Sequence, residues 1–170
     1  MARRGLPWIY PYQVDDIAAR DGRDVLRPIV HVVVHGVDIV VPALVDSGCD
    51  HVLIAPYIAR ALGFPTVLAE EGYVLGVGGD RQRVRPERVT LSLLHPQYPD
   101  ERISWPAEVL VVNEWKPSFG VLLGQQGFFD RFTVTFHRGV QAMAIDAEDA
   151  FELRHGQQLA DGDTRTWVPD

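Results

Sequence analysis

From Arg27 onward the chain alternates between short apolar runs and turn residues. Ile29 to Val34 is almost wholly β-branched around His31, Ile39 to Val45 is apolar again, and His35-Gly36-Val37-Asp38 lies between them. Two such runs around a short glycine-containing turn predict a β-hairpin. Pro42 has no N–H to give to a ladder, so it is expected at an edge or a bulge. Ala55 to Leu62 predicts a short helix, with Pro56 in its first turn and Gly63 as its stop. Gly72 to Asp80 is glycine-rich between strand-like pieces. Arg83 to Leu93, Ile103 to Val112, Phe119 to Leu123, Phe132 to Phe136 and Val140 to Ile145 predict further strands, and Gln125 to Arg131 predicts one or two helical turns. Many short strands punctuated by turns predict an all-β protein, a small barrel or sandwich.

The flanks differ from this middle. Residues 1–27 read as an N-terminal extension, with Trp8, Ile9, Tyr10 and Tyr12 clustered among prolines and Asp21-Gly22 as a turn. Residues 146–170 read as an acidic, polar tail, which leaves 28–145 as the folded domain. The aromatic residues of the extension are expected to pack on the domain or on a partner subunit rather than to bind a ligand. No internal repeat is visible.

Composition narrows the function classes. With 46% hydrophobic residues in 170, the chain has the means to build a core. Sixteen Lys plus Arg against 23 Asp plus Glu give a net charge of −7, a poor match to phosphate backbones, so no nucleic-acid partner is expected. No apolar run approaches the ~20 residues of a membrane helix, and Gly5, Pro7 and Pro11 interrupt the segment after Arg3 and Arg4, so neither membrane nor signal peptide is expected. A soluble cytoplasmic protein is the expectation. The single cysteine, Cys49, rules out an internal disulfide or a multi-cysteine zinc site.

The chemistry concentrates in Val41-Pro42-Ala43-Leu44-Val45-Asp46-Ser47-Gly48-Cys49-Asp50. An apolar strand ends in a carboxylate, a hydroxyl able to brace the loop, and a glycine that lets backbone approach closely. Asp, Ser and Gly are also ordinary turn residues, so the tripeptide needs its context. The stretch Ala43 to Ile54 resembles the active-site strand of the retropepsin-like aspartic proteases: apolar residues, Asp-Thr/Ser-Gly, a small residue and a second apolar strand. Gly120-Val121-Leu122-Leu123-Gly124, followed by Gln125 to Phe129 and Phe132 to Phe136, resembles that family's second apolar-Gly element, short helix and final strands. Tyr73 to Gly79 resembles its glycine-rich flap. The three motifs span about 28–145 in the family's order.

The resemblance implies a small closed β-barrel with one or two short helices, no metal and no cofactor. It implies a homodimer, because one Asp-Ser-Gly loop is half of a two-loop site. Asp46 of each copy would share a proton across the two-fold axis, activate water and protonate the peptide carbonyl; the aspartic-protease dyad is the standard example of such sharing. Ser47 matches the hydroxyl that interlocks the loops and Gly48 the carbonyl that meets substrate. Asp50 matches an acid that binds substrate backbone, and Gly76, Val77, Gly78 and Gly79 match the mobile flap. The substrate would be a peptide or protein bound as an extended strand. Gln125 departs from the pattern, since retroviral members carry there an arginine that pairs with the acid matched by Asp50. That departure leaves a catalytically silent peptide-binding or dimerisation module as the alternative.

Other residues carry competing readings. Cys49 near His51 suggests a thiol nucleophile, against a small, partly buried side chain. His31 and His35 suggest metal ligands, against ordinary strand histidines, and no third ligand is evident. Gly76 to Gly79 lacks the Gly-Lys-Ser/Thr ending of a phosphate loop. Arg81, Arg83, Arg85 and Arg88 form a basic patch, a solvated face or a recognition surface for acidic substrate residues.

Overall fold

The computed structural model describes residues 7–15, 23–65, 73–75, 81–112 and 115–147. The apolar runs from Ile29 onward form strands, and three short strands that the sequence did not predict form before them: β1 (Trp8–Pro11), β2 (Gln13–Val14), β3 (Leu26–Arg27), then β4 (Ile29–Val34), β5 (Ile39–Val45), β6 (Val52–Ile54), β7 (Tyr73–Leu75), β8 (Arg81–Leu94), β9 (Arg102–Val112), β10 (Val121–Leu123), β11 (Phe132–His137) and β12 (Ala142–Ala147). Helix α1 (Pro56–Ala61) has proline in its first turn and turns Ile58 and Ala59 into the core.

Strand order β4-β5-β10-β6-β9-β8, with β8 pairing back onto β4, closes a six-stranded barrel, so its strands leave no long free edge. The β4–β5 hairpin has continuous register from Ile29↔Leu44 to Val34↔Ile39. Pro42 lies inside that register opposite His31, neither at a sheet edge nor in a bulge as expected. The Pro42 carbonyl accepts from the Gly120 N–H at 2.8 Å, so its polar backbone faces β10, whose pairing with β5 starts one residue later at Ala43↔Val121. The missing donor therefore falls just past a strand end, where no ladder needs it.

Val30, Val32, Val34, Ala43, Val45, Val52, Ile54, Val109, Val111, Val121 and Leu123 point into the barrel and form one cluster with Phe128, Phe132 and Trp105. A second sheet, β1-β12-β11, adds Tyr10, Met143 and Ile145 to the same core. The aromatic residues of the N-terminal segment pack on this domain: Tyr10 is buried and donates its hydroxyl to the Leu94 carbonyl at 2.9 Å, and Trp8 stands edge-on to His95.

Two expectations need correction. Gln125 to Arg131 is a series of hydrogen-bonded turns rather than a helix: Phe129 and Asp130 donate to Gly124 and Gln125, and Gly127 sits at φ +97°, a value that breaks a right-handed helix. The strand predicted from Val140 starts at Ala142, because residues 138–140 form a 3₁₀ turn capped by the His137 side chain. No helix among the described residues is long and apolar enough to cross a membrane.

Candidate active site

β5 runs buried through Val45 and delivers Asp46 at its end, where burial relaxes and Ser47, Gly48 and Asp50 emerge to solvent. The loop is held almost wholly by backbone. Asp46 N–H donates to the Leu123 carbonyl at 3.0 Å, tying the acid to the end of β10. Gly48 N–H donates to Asp46 Oδ1 at 2.9 Å and so orients the carboxylate. Gln125 N–H donates to the Cys49 carbonyl at 2.8 Å, and Gln126 N–H to the Asp50 carbonyl at 2.9 Å. An amide-bonded carboxylate on a short, laced loop is preorganised: the backbone itself orients it.

Gly124 is what lets the two motifs interlock. A Cβ there would lie 2.6 Å from the Cys49 carbonyl oxygen and closer still to that of His51, so only glycine lets these backbones approach. Gln125 supplies a brace of its own. Its side-chain amide donates to the Ser47 carbonyl at 2.6 Å, and among the described residues no cation pairs with Asp50. The loop is thus latched by a neutral hydrogen bond at the position where a charged pair was missing.

Beside the loop lies an apolar wall that sequence reasoning did not single out. Leu53, Val84, Val112 and Leu122 are buried together, with Cys49, Leu110, Trp115 and Phe119 packed against them. These residues alternate with the core-facing ones, so they coat the outer face of the barrel, with Leu122↔Leu53, Leu53↔Leu110 and Val84↔Val112 as cross-strand neighbours. The signal was present: Val52-Leu53-Ile54, Val121-Leu122-Leu123 and Val109 to Val112 are apolar at every position, a pattern of strands covered on both faces. A cavity of about 290 Å³ opens next to His51, lined also by Glu108, Gln126, Asp130 and Arg131; it does not include Asp46.

The remaining candidates separate. β7 pairs antiparallel with Arg81–Arg83, giving two arms of a hairpin, while Gly76, Val77, Gly78 and Gly79 lie outside the described residues. Cys49 Sγ meets the His51 carbonyl at 3.3 Å, not its ring. Burial pushes the Cys49 thiol up, and the Asp46 and Asp50 carboxylates add to the effect, the reverse of what activates a thiol nucleophile. His31 is exposed on β4, whereas His35 lies past the strand end and its Nε2 meets Ser92 Oγ at 2.7 Å. Arg85 is paired with Glu87 at 2.9 Å, which weakens the basic patch as a recognition surface.

A retropepsin-like aspartic protease from Rickettsia conorii has the same architecture, at 17% identity over 82% of this chain and 89% of that one, with a TM-score of 0.53. The fold is the retropepsin-like one. The EIAV protease complexed with the inhibitor HBY-793 (19% identity, 58% of this chain and 82% of that one, TM-score 0.37) is a looser match to this retropepsin-like chain. So is the retroviral protease-like domain of Ddi1 from Leishmania major (17% identity, 72% and 90%, TM-score 0.45). No protein-family model and no curated protein sequence matches the chain.

Proposed function

We propose that this chain is one subunit of a homodimeric aspartic endopeptidase in which two Asp46 carboxylates meet at the two-fold axis. The observation that carries the reading is the Asp46–Gly48 unit: a carboxylate aimed by the Gly48 N–H at 2.9 Å, at the end of a buried strand, beside an apolar wall. The sequence holds one Asp-Ser-Gly loop, and a second copy supplies the other. Two acids in contact cannot both ionise readily, so the pair holds one proton between them. The ionised member takes a proton from water as it adds to the peptide carbonyl, and the protonated member donates to the carbonyl oxygen. Both protons then pass to the leaving amine and the regenerated dyad. Asp46 is the catalytic residue; Ser47 and Gly48 position it. The hairpin of β7 and β8 is the flap, the sequence between its two arms includes Gly76 to Gly79, and Asp50 takes the backbone of an extended peptide.

Asp46→Asn removes the acid and keeps the shape. Peptide cleavage should fall by about 10³-fold or more, the scale of general acid–base catalysis, while sedimentation still reports a folded dimer. Wild-type rates in that variant end the reading. Asp50, exposed and with no cation against it among the described residues, and the neutral Gln125 latch favour a second reading, a peptide-binding module without turnover. A wild-type dimer that binds peptides and cleaves none from acidic to neutral pH selects it.

A further inference from the structure

The cavity beside His51 takes no part in the reaction proposed above, and its lining is unlike the apolar wall next to Asp46. It holds about 290 Å³, the low end of the volumes that take small ligands, which start near about 300 Å³. Both signs of charge line it: Glu108 from β9, and Asp130 and Arg131 from the turn before β11. Opposite charges around one cavity would satisfy each other if they paired. Among the described residues no ion pair or side-chain hydrogen bond takes the carboxylates of Glu108 and Asp130 or the guanidinium of Arg131.

The floor beneath these charges is backbone held from several sides. Gln126 N–H donates to the Asp50 carbonyl at 2.9 Å, and the Gln126 carbonyl accepts from Val52 N–H at 3.3 Å. The Gly127 carbonyl accepts from Trp105 Nε1–H at 2.8 Å. Gly127 stands at φ +97°, and a Cβ there would lie 3.2 Å from the Glu108 carbonyl oxygen, so the turn lies close against β9. A floor fixed in this way has little freedom to lose when a ligand enters. Leu110 adds apolar surface and also packs against the apolar wall of the candidate site.

We propose that this cavity binds a small zwitterion with a free amine and a free carboxylate, an amino acid or a dipeptide. The ammonium sits against Glu108 and Asp130 and the carboxylate against Arg131, while the Gln126 amide, which both donates and accepts, serves either end. An anion would meet two carboxylates, and a simple cation would leave Arg131 without a partner; a ligand carrying both signs answers all three. Size sets the upper bound. A sphere of the cavity's volume is about 8 Å across, room for two residues at about 3.5 Å each and not for three. Binding here does not depend on the protease reading, because Asp46 is no part of the cavity.

The test is a titration of the isotope-labelled full chain with alanyl-alanine, followed by amide chemical shifts. Saturable shifts should centre on His51, Gln126 and Gly127. Because the charges are exposed, the dissociation constant should lie near about 1 mM. N-acetylation or C-amidation of the dipeptide should each weaken binding about fivefold. Arg131→Gln should remove the penalty of amidation and keep that of acetylation, and Glu108→Gln should reduce the penalty of acetylation and keep that of amidation. Both side chains are exposed, so neither change disturbs the core. Absence of saturable shifts, shifts centred on Asp46, or blocked dipeptides that bind wild type as well as the free one each overturn the proposal. Asp46→Asn should bind alanyl-alanine as wild type does. A protein that cleaves through Asp46 and does not bind the dipeptide ends this proposal and leaves the protease reading standing. One that binds it as described and never cleaves does the reverse.

Discussion

The six strands of the barrel and the three of the terminal sheet face the same problem, unpaired backbone at an edge, and solve it differently. In the barrel, β8 returns to β4 and every strand has a neighbour on each side. Its closure leaves the Asp46 loop rigidly anchored, because the loop springs from β5 and is laced to β10 and the turn after it. The terminal sheet is not closed. Prolines guard one edge and nothing described covers the other.

Core truncations separate the two regions most strongly. Phe128 is fully buried and stacks with Trp105, Phe129 and Phe132, so Phe128→Ala should cost about 4 kcal/mol of unfolding free energy. Phe136→Ala, at the open edge, should cost the isolated monomer under about 1 kcal/mol. Urea unfolding at monomer concentrations measures both, and equal costs would erase the distinction between a sealed barrel and an unsealed sheet.

Gly124→Ala comes next. The new methyl collides with the Cys49 and His51 carbonyls, and backbone cannot swing aside as a side chain does. The expected loss is about 3 kcal/mol, with cleavage falling as the Asp46 loop shifts. A variant of native stability and activity would mean that the loop yields, contrary to the rigidity assigned to it.

Gln125→Ala removes one hydrogen bond to Ser47 and should cost about 1 kcal/mol. The sharper readout is the ratio of kcat to KM: a positioning role lowers kcat with little change in KM. Gln125→Glu keeps the shape, loses the donor and should behave like the alanine variant.

The smallest effect concerns Cys49. Burial first, then the neighbouring carboxylates, raise its thiol, so the thiolate needs alkali beyond the ordinary thiol range. Iodoacetamide should label native Cys49 slowly at neutral pH, and its rate should climb at a higher pH than in the urea-unfolded chain. A native rate that climbs at lower pH would point to an activated thiol.

Much of the fold was legible because period and punctuation agree. Ile29 to Val34, almost wholly β-branched, and the apolar run Ile39 to Val45 flank a four-residue turn, and they form the hairpin expected of them. Pro42 misled because a sequence does not tell which neighbour a residue's backbone faces; here the ring nitrogen falls past the end of β10, where no donor is needed. Gln125 to Arg131 misled because Gly127 takes a positive φ, which interrupts a right-handed helix and which a glycine in a sequence does not announce. In the site, Asp46, Ser47 and Gly48 were legible as a motif, and the apolar wall was not, although its residues were in plain view.

The order of apolar runs, turns and one Asp-Ser-Gly loop determined the strand content, the barrel class and where the acid falls along the chain. Those are properties of local periodicity, and each can be counted along one dimension. Tertiary structure alone decided that Gln125 reaches Ser47, that Leu53, Leu110, Val112 and Leu122 converge into a wall, and that the terminal strands close one edge and leave another open. Those relations join residues as far apart as Gln125 and Ser47, 78 positions, or Trp8 and Ile145 in the terminal sheet, and only three dimensions bring them within contact.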